Sequence, residues 1–267
     1  MTYSAENLPP VNGSAIRRLI IDQSKRANVG HIGSSLSIAD IIAVLYSQVL
    51  RTNHNLINER DRFVLSKGHA ALTLYCAFYL KGWITSDQLD TYCADNSLLG
   101  VHPETSLKYI DFSTGSLGQG LSMGTGAALA AKMQKSDRRT YVLLSDAELN
   151  EGSVWEASMF AAHHGLDNLV AIVDWNGQQA MGNTEEIINN DHMVDRWQNF
   201  GWNCCEIDGH DESLLLQNLM AESVGKPSLI LANTTFGKGV SYMENQLKWH
   251  YWPMSDEEYQ KAINEIG

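Results

Sequence analysis

The stretch TYVLLSDAELNEGSVWEASMFAAHHGLDNLVAIVDWN, from Thr140 to Asn176, decides the fold. It opens on an apolar run, Tyr141 to Leu144, that stops abruptly at Ser145-Asp146. The helical segment GSVWEASMFAAHH follows. A second apolar run, Leu169 to Val173, then stops at Asp174-Trp175-Asn176. Apolar runs without polar alternation predict strands covered on both faces. Two such strands joined by a helix form the repeating unit of a parallel sheet.

The rhythm continues outward from that unit. Downstream, HMVDRWQNFG reads as a helix, NCCEID as a strand, SLLLQNLMAES as a helix and PSLILANTT as a closing strand. Upstream, RFVLS is a short strand, and AALTLYCAFYLKG is a helix that stops at Gly82. SAIRRLIIDQSKRAN places Ile16, Leu19, Ile20 and Ile21 near helical spacing, with Ser14 as the expected cap. LSIADIIAVLYSQVL repeats that pattern with Ile38, Ile41, Ile42, Leu45 and Val49. The expected fold class is α/β, an open, mostly parallel doubly wound sheet with helices on both faces. No internal repeat or linker interrupts residues 1–267, so one domain is expected.

The bulk numbers exclude several classes of function. The 267 residues are 44% hydrophobic and 19% charged, enough for a large core. A formal charge of −12 and a pI near 5.1 argue against a nucleic-acid surface. No apolar window is long enough for a membrane span. The start, MTYSAENLPP, lacks the basic and apolar blocks of a signal peptide. Cys76, Cys93, Cys204 and Cys205 form no C-x-x-C pair, so buried free thiols in a reducing cytoplasm are expected.

In open parallel sheets ligands sit beyond the carboxyl ends of the strands. Asp146, Asn176 and Thr234–Thr235 all fall there. One strand–helix–strand unit would set Asp146 and Asn176 side by side. Together with a main-chain carbonyl, such as that of Gln178, they suit a hard divalent cation that takes further oxygens from water and a diphosphate. Asp and Asn also end strands as helix caps, which leaves a purely structural reading open.

A second stretch, STGSLGQGLSMGTGAALAAKM, crowds Gly115, Gly118, Gly120, Gly124 and Gly126 at the start of a helix. It is neither a Walker loop nor a dinucleotide fingerprint. Close approach to a ligand and close helix packing are equally open readings. Of nine histidines, His54, His163, His164, His192 and His210 occupy ordinary polar or helical contexts. His31, His69, His102 and His250 each sit at a turn beside Gly, Pro or Trp. If they converge, they can shuttle protons near pH 7 and hydrogen-bond hydroxyls and phosphates.

The motifs GHIGSSLSIAD, LSKGHA, HPE, STGSLGQGLS, SDAELNEGSVWEA, VDWNGQ and GVSYMENQLKWH, in this order, resemble the N-terminal, thiamine-diphosphate-binding half of transketolase. The resemblance runs from about Gly13 to Met254. It implies the thiamine-diphosphate-binding fold of the diphosphate-binding type, here as a single domain. The pyrimidine-binding and C-terminal domains of full-length relatives are absent and are expected on a partner chain. The chain thus resembles the N-terminal subunit of a split transketolase, with two copies of each chain expected.

Carried over residue by residue, the resemblance assigns Asp146, Asn176 and the carbonyl of Gln178 to Mg²⁺ (or Ca²⁺ or Mn²⁺). The main chain at Ala147 and the imidazoles of His69 and His250 would contact the cofactor diphosphate, and Gly115 and Leu117 its rings. His31, His102 and His250 would surround the reacting carbon. Glu151 would join an acidic network at the subunit interface, while Glu148 and Glu156 receive no role. The implied reaction passes a two-carbon ketol unit from a ketose to an aldose, on sugars or sugar phosphates, in the cytoplasm. It requires the partner, whose pyrimidine domain carries the carboxylate that activates the cofactor.

The chain departs from the family in places. Ser145-Asp146-Ala147 stands where Gly-Asp-Gly is usual, and strain of about 1–2 kcal/mol would follow if either flanking residue needed positive φ. Phe236 stands where many relatives carry a lysine that can reach the diphosphate. Tyr251 replaces the glycine after Trp-His, and Ser116 replaces a proline. These departures keep two alternatives open. One is a specialised-metabolism thiamine enzyme with an unusual acceptor. The other is a non-catalytic scaffold subunit, against which the retention of Asp146, Asn176, Glu151 and the four junction histidines speaks.

Overall fold

A computed structural model describes residues 8–53 and 59–267. His54 and the first seven residues, on which the reading of the chain start rests, lie outside them. The sheet contains β1 (Arg62–Leu65), β2 (Thr140–Ser145), β3 (Leu169–Trp175), β6 (Asn203–Asp208) and β7 (Ser228–Asn233), in the order β1-β2-β3-β7-β6. All four pairings are parallel. A two-residue antiparallel hairpin, β4 (Gln178–Gln179) with β5 (Gly182–Asn183), follows β3.

The apolar runs divide by period two between two cores. Tyr141, Leu143, Val170, Ile172, Ile230 and Ala232 face one side. There they meet the helices Gly13–Ala27, Ala71–Leu80 and Glu212–Met220. Val142, Leu144, Leu169, Ala171, Val173, Leu229 and Leu231 face the other. That side is covered by Gly120–Met133, Gly152–His163 and Met193–Asn199. The doubly wound reading therefore holds, because every residue of β2 is buried on one face or the other.

Three local expectations are corrected. The first helix is capped by Asn12, whose Oδ1 accepts from the Ala15 N–H at 2.8 Å, and Ser14 lies inside the helix. LSIADIIAVLYSQVL is not one helix. It divides at Ile38 (φ −96°, ψ 6°) into Ile32–Ser37 and Ala39–Val44 and ends in a π turn, Leu45–Val49. Only Cys76 is a fully buried thiol; Cys204 and Cys205 lie on β6, which pairs with β7 alone at the sheet edge, and are half-buried.

Candidate functional site

The carboxyl ends of β1, β2 and β3 open onto a cavity of about 170 Å³. Nine of the residues singled out from the sequence line it: His31, His69, His102, Gly115, Leu117, Ala147, Asn176, Gln178 and His250. Ser34, Ser145, Gln179 and Ala180 complete the wall. Asp146 lies between two lining residues and is 1% exposed. Glu151 does not line the cavity; it is exposed at the head of the helix Gly152–His163.

Register brings the oxygen donors together. Ser145 pairs with Asp174 across β2 and β3, so Asp146 and Asn176 leave adjacent strands at the same rim. Asp146 Oδ1 accepts from its neighbour Ala147 N–H at 2.9 Å, and Oδ2 accepts from Thr184 Oγ1 at 2.6 Å. Burial pushes this carboxyl up to about 7, against the opposing pull of the Thr184 hydroxyl. A carboxylate so deep, with no ion pair among the described residues, is the environment that a cation would relieve. Asn176 Nδ2 donates to Asp174 Oδ2 at 2.7 Å, which fixes the amide and leaves Oδ1 as the outer atom. That oxygen accepts from the Gln178 N–H at 2.9 Å and keeps a second lone pair.

Three imidazoles face the oxygen donors. Ring centroids lie 5.4 Å apart for His31 and His69, 5.2 Å for His31 and His250, and 5.7 Å for His69 and His250. His31 takes left-handed backbone (φ 59°) at the start of Ile32–Ser37. Its N–H donates to the His250 carbonyl at 3.2 Å. His69 Nε2 shares a hydrogen bond with Ser34 Oγ at 2.8 Å. Burial lowers all three pKa values, that of His250 to about 4, with the neighbouring imidazoles and the Lys67 ammonium adding to the effect. Neutral imidazoles both accept and donate, as proton transfer to and from a polar ligand requires. The Nδ1 atoms of His31 and His250 and Nε2 of Gln179 are buried and have no hydrogen-bond partner among the described residues. Buried polar atoms on a cavity wall fit a polar ligand.

The glycine stretch serves both readings. A Cβ at Gly115 (φ +147°) would stand 2.8 Å from His102 Cδ2, so only glycine lets the chain pass this close to the cavity imidazole. Gly124 belongs to packing instead, since a Cβ there would strike Val142 Cγ2 at 2.3 Å.

Residues 11–267 match the transketolase, thiamine diphosphate binding domain. The chain belongs to the transketolase family. It is 41% identical over 255 residues to an apulose-4-phosphate transketolase subunit of Phocaeicola vulgatus, covering 94% of this chain and 91% of that protein. It is 40% identical over 258 residues to a 6-deoxy-6-sulfo-D-fructose transketolase subunit of Clostridium sp., covering 95% and 94%. The transketolase of Campylobacter jejuni superposes with a TM-score of 0.89 at 32% identity, over 96% of this chain. The chain spans 42% of that longer protein. It is thus an N-terminal subunit of a split transketolase, with the thiamine-diphosphate-binding fold.

The support beneath this transketolase site was missed from sequence. Lys67 and Asp174 form an ion pair with both side chains 0% exposed. The Asp174 carboxylate also accepts from Ser37 Oγ at 2.7 Å and from the Thr234 hydroxyl. Glu148, given no role above, is fully buried. It accepts from the Gly118 N–H at 2.9 Å, the Ser145 N–H at 2.9 Å and the Ser66 hydroxyl. It therefore ties the glycine turn to the ends of β1 and β2. A signal was present for Asp174 alone, as a lone acid inside an apolar strand needs a buried partner.

The departures from the family also resolve. Neither Ser145 nor Ala147 has positive φ, and Asp146 is helical (φ −60°, ψ −36°), so the added β-carbons carry no such strain. Phe236 is fully buried and does not line the cavity. It stacks on His250 at 6.1 Å and 12°, over Gly33, whose missing side chain makes room for the ring. His210 bridges Asp40 Oδ2 (2.7 Å) and the Thr235 N–H (2.9 Å) in a structural role, while His163, His164 and His192 are exposed. Glu156 lies on an exposed helix face.

Proposed function

We propose that this chain is the cofactor-binding subunit of a two-chain transketolase that moves a two-carbon ketol unit from a ketose to an aldose. The observation that carries this reading is a single cavity flanked by the oxygen set of Asp146, Asn176 and Gln178 and by the cluster of His31, His69 and His250. Asp146, the Asn176 amide oxygen and the Gln178 carbonyl hold Mg²⁺ against the cofactor diphosphate. The Ala147 main chain, His69 and His250 contact that diphosphate, and Gly115 and Leu117 face the cofactor rings. Thiamine diphosphate, when bound, supplies the electron sink that lets the bond between C2 and C3 of the ketose break.

The chain's own residues then handle protons and position. His31, His102 and His250 accept and return protons at sugar hydroxyls; the neutral resting state of His31 and His250 suits them to it. The two relatives from split enzymes carry a phosphate and a sulfo group in their substrates' names. A ketose with an anionic far end fits this chain as well. Among the described residues, no lysine or arginine lines the cavity, and the partner chain would supply the cation that reads that end.

The partner carries the pyrimidine-binding and C-terminal domains, and two copies of each chain assemble, with Glu151 at the interface. Among the described residues, no helix is long and apolar enough to cross a membrane, which fits action in the cytoplasm. The test is calorimetry of thiamine diphosphate with Mg²⁺, on this chain alone and with its partner, followed by ketol transfer from a phosphorylated ketose. Saturable binding and transfer only in the assembled pair are expected; no binding in either state refutes the reading.

A further inference from the structure

Two walls of the cavity belong to segments far apart in sequence, and one side chain joins them. The Tyr251 hydroxyl donates to the Ala180 carbonyl at 2.7 Å across 71 positions. Its ring lies against His250, with centroids 4.9 Å apart at 43°. Its backbone rests on Gly30, where a Cβ would stand 2.3 Å from the Tyr251 carbonyl oxygen. On one side, then, Tyr251 is anchored in the histidine cluster, which the His31 N–H already fastens to the His250 carbonyl.

On the other side lies the turn that follows β3. It carries Gln178, and its only regular pairing is the two-residue ladder of β4 and β5. Two-stranded hairpins this short are marginal by themselves. The turn is closed by the Thr184 N–H on the Gly177 carbonyl (2.9 Å) and tethered to the end of β2 by Thr184 Oγ1 on Asp146 (2.6 Å) and by Asn150 Nδ2 on Gln179 Oε1 (3.2 Å). Ala180, at its tip and on the cavity wall, is reached from the histidine side by Tyr251.

We propose that Tyr251 is a positioning residue of the cofactor site, a clasp that holds the Gln178 turn against the histidine cluster so that oxygen donors and imidazoles keep one fixed separation. The proposal rests on the transketolase reading. Tyr251 is 54% exposed, so Tyr251→Phe removes the hydroxyl without disturbing the core. In the cofactor-free full chain, Tyr251→Phe speeds amide hydrogen exchange across residues 178–183, while exchange in β2 and β3 stays unchanged. In the complex with the partner chain, the Kd for thiamine diphosphate at saturating Mg²⁺ rises about three- to tenfold, the scale of one hydrogen bond. Tyr251→Gly, which also removes the ring from His250, weakens binding further. Unchanged exchange, or faster exchange with an unchanged Kd, overturns the clasp. A wild-type complex that binds no cofactor fails in the reference arm and overturns the functional reading together with this one.

Discussion

Asp174 sets the orientation of Asn176: the Asn176 amide nitrogen is held on Asp174 Oδ2 at 2.7 Å, so the amide oxygen is the atom left for a ligand. The same carboxylate neutralises Lys67 in a fully buried pair. Removing one member of such a pair strands the other charge in a low-dielectric interior, which costs about 3–5 kcal/mol. Lys67→Met is expected to lower unfolding stability by that amount in urea titrations. A loss below about 1 kcal/mol would refute the ion pair as a support of the fold.

Asp146 separates binding from folding. Asp146→Asn keeps an acceptor for Thr184 and relieves the burial of a charge. The cofactor-free chain is expected to melt at or above the wild-type temperature. Mg²⁺-dependent cofactor affinity in the assembled enzyme should fall at least tenfold. Equal affinity in the two proteins would refute the metal assignment.

Glu148 organises the turn from below. Glu148→Ala leaves the buried N–H groups of Gly118 and Ser145 without acceptors. At about 1–3 kcal/mol for each of the two unsatisfied groups, a loss of about 2–6 kcal/mol is expected by chemical denaturation. Cofactor binding should weaken with it, because Ser145 lines the cavity.

The histidine cluster makes stability depend on pH. Burial, with neighbouring positive charge, holds His31, His69 and His250 below their ordinary 6.5, His250 near 4. At these three side chains the unfolded state therefore binds more protons than the folded one as pH falls below about 6.5. The stability present above that pH is lost progressively down to about 4. Asp146, raised by burial to about 7, works in the opposite sense over the same range, so the histidine contribution is read as a difference: between pH 7 and pH 4.5 the urea midpoint of the wild type should drop relative to that of His250→Asn. Parallel curves for the two proteins would contradict the neutral-imidazole assignment.

Much of this was legible in the sequence because it rests on pattern. The alternation of apolar strands and helices announced the sheet, and Asp146 and Asn176 revealed the rim by ending two of those strands. The four junction histidines were visible as a group, although only the fold could bring three of them within 5.7 Å of one another. Lys67 and Glu148 were not legible as support, whereas Asp174 was marked by its place inside an apolar strand. A charged residue near a strand end is commonly solvated, and nothing local marks the few that are sealed beneath a site. Phe236 was misplaced for the converse reason: it is adjacent to the cavity histidine in space, yet packed behind it.

The pairing of Ser145 with Asp174 has a consequence for drift in this family. The lateral gap between β2 and β3, from whose ends Asp146 and Asn176 depart, is inherited from main-chain hydrogen bonding, which spaces neighbouring strands by about 4.8 Å whatever their side chains. Flanking turns can therefore exchange glycine for serine or alanine while the ruler between the two donors keeps its length. Substitutions that tune such an enzyme toward new sugars are free to accumulate around that ruler without recalibrating it.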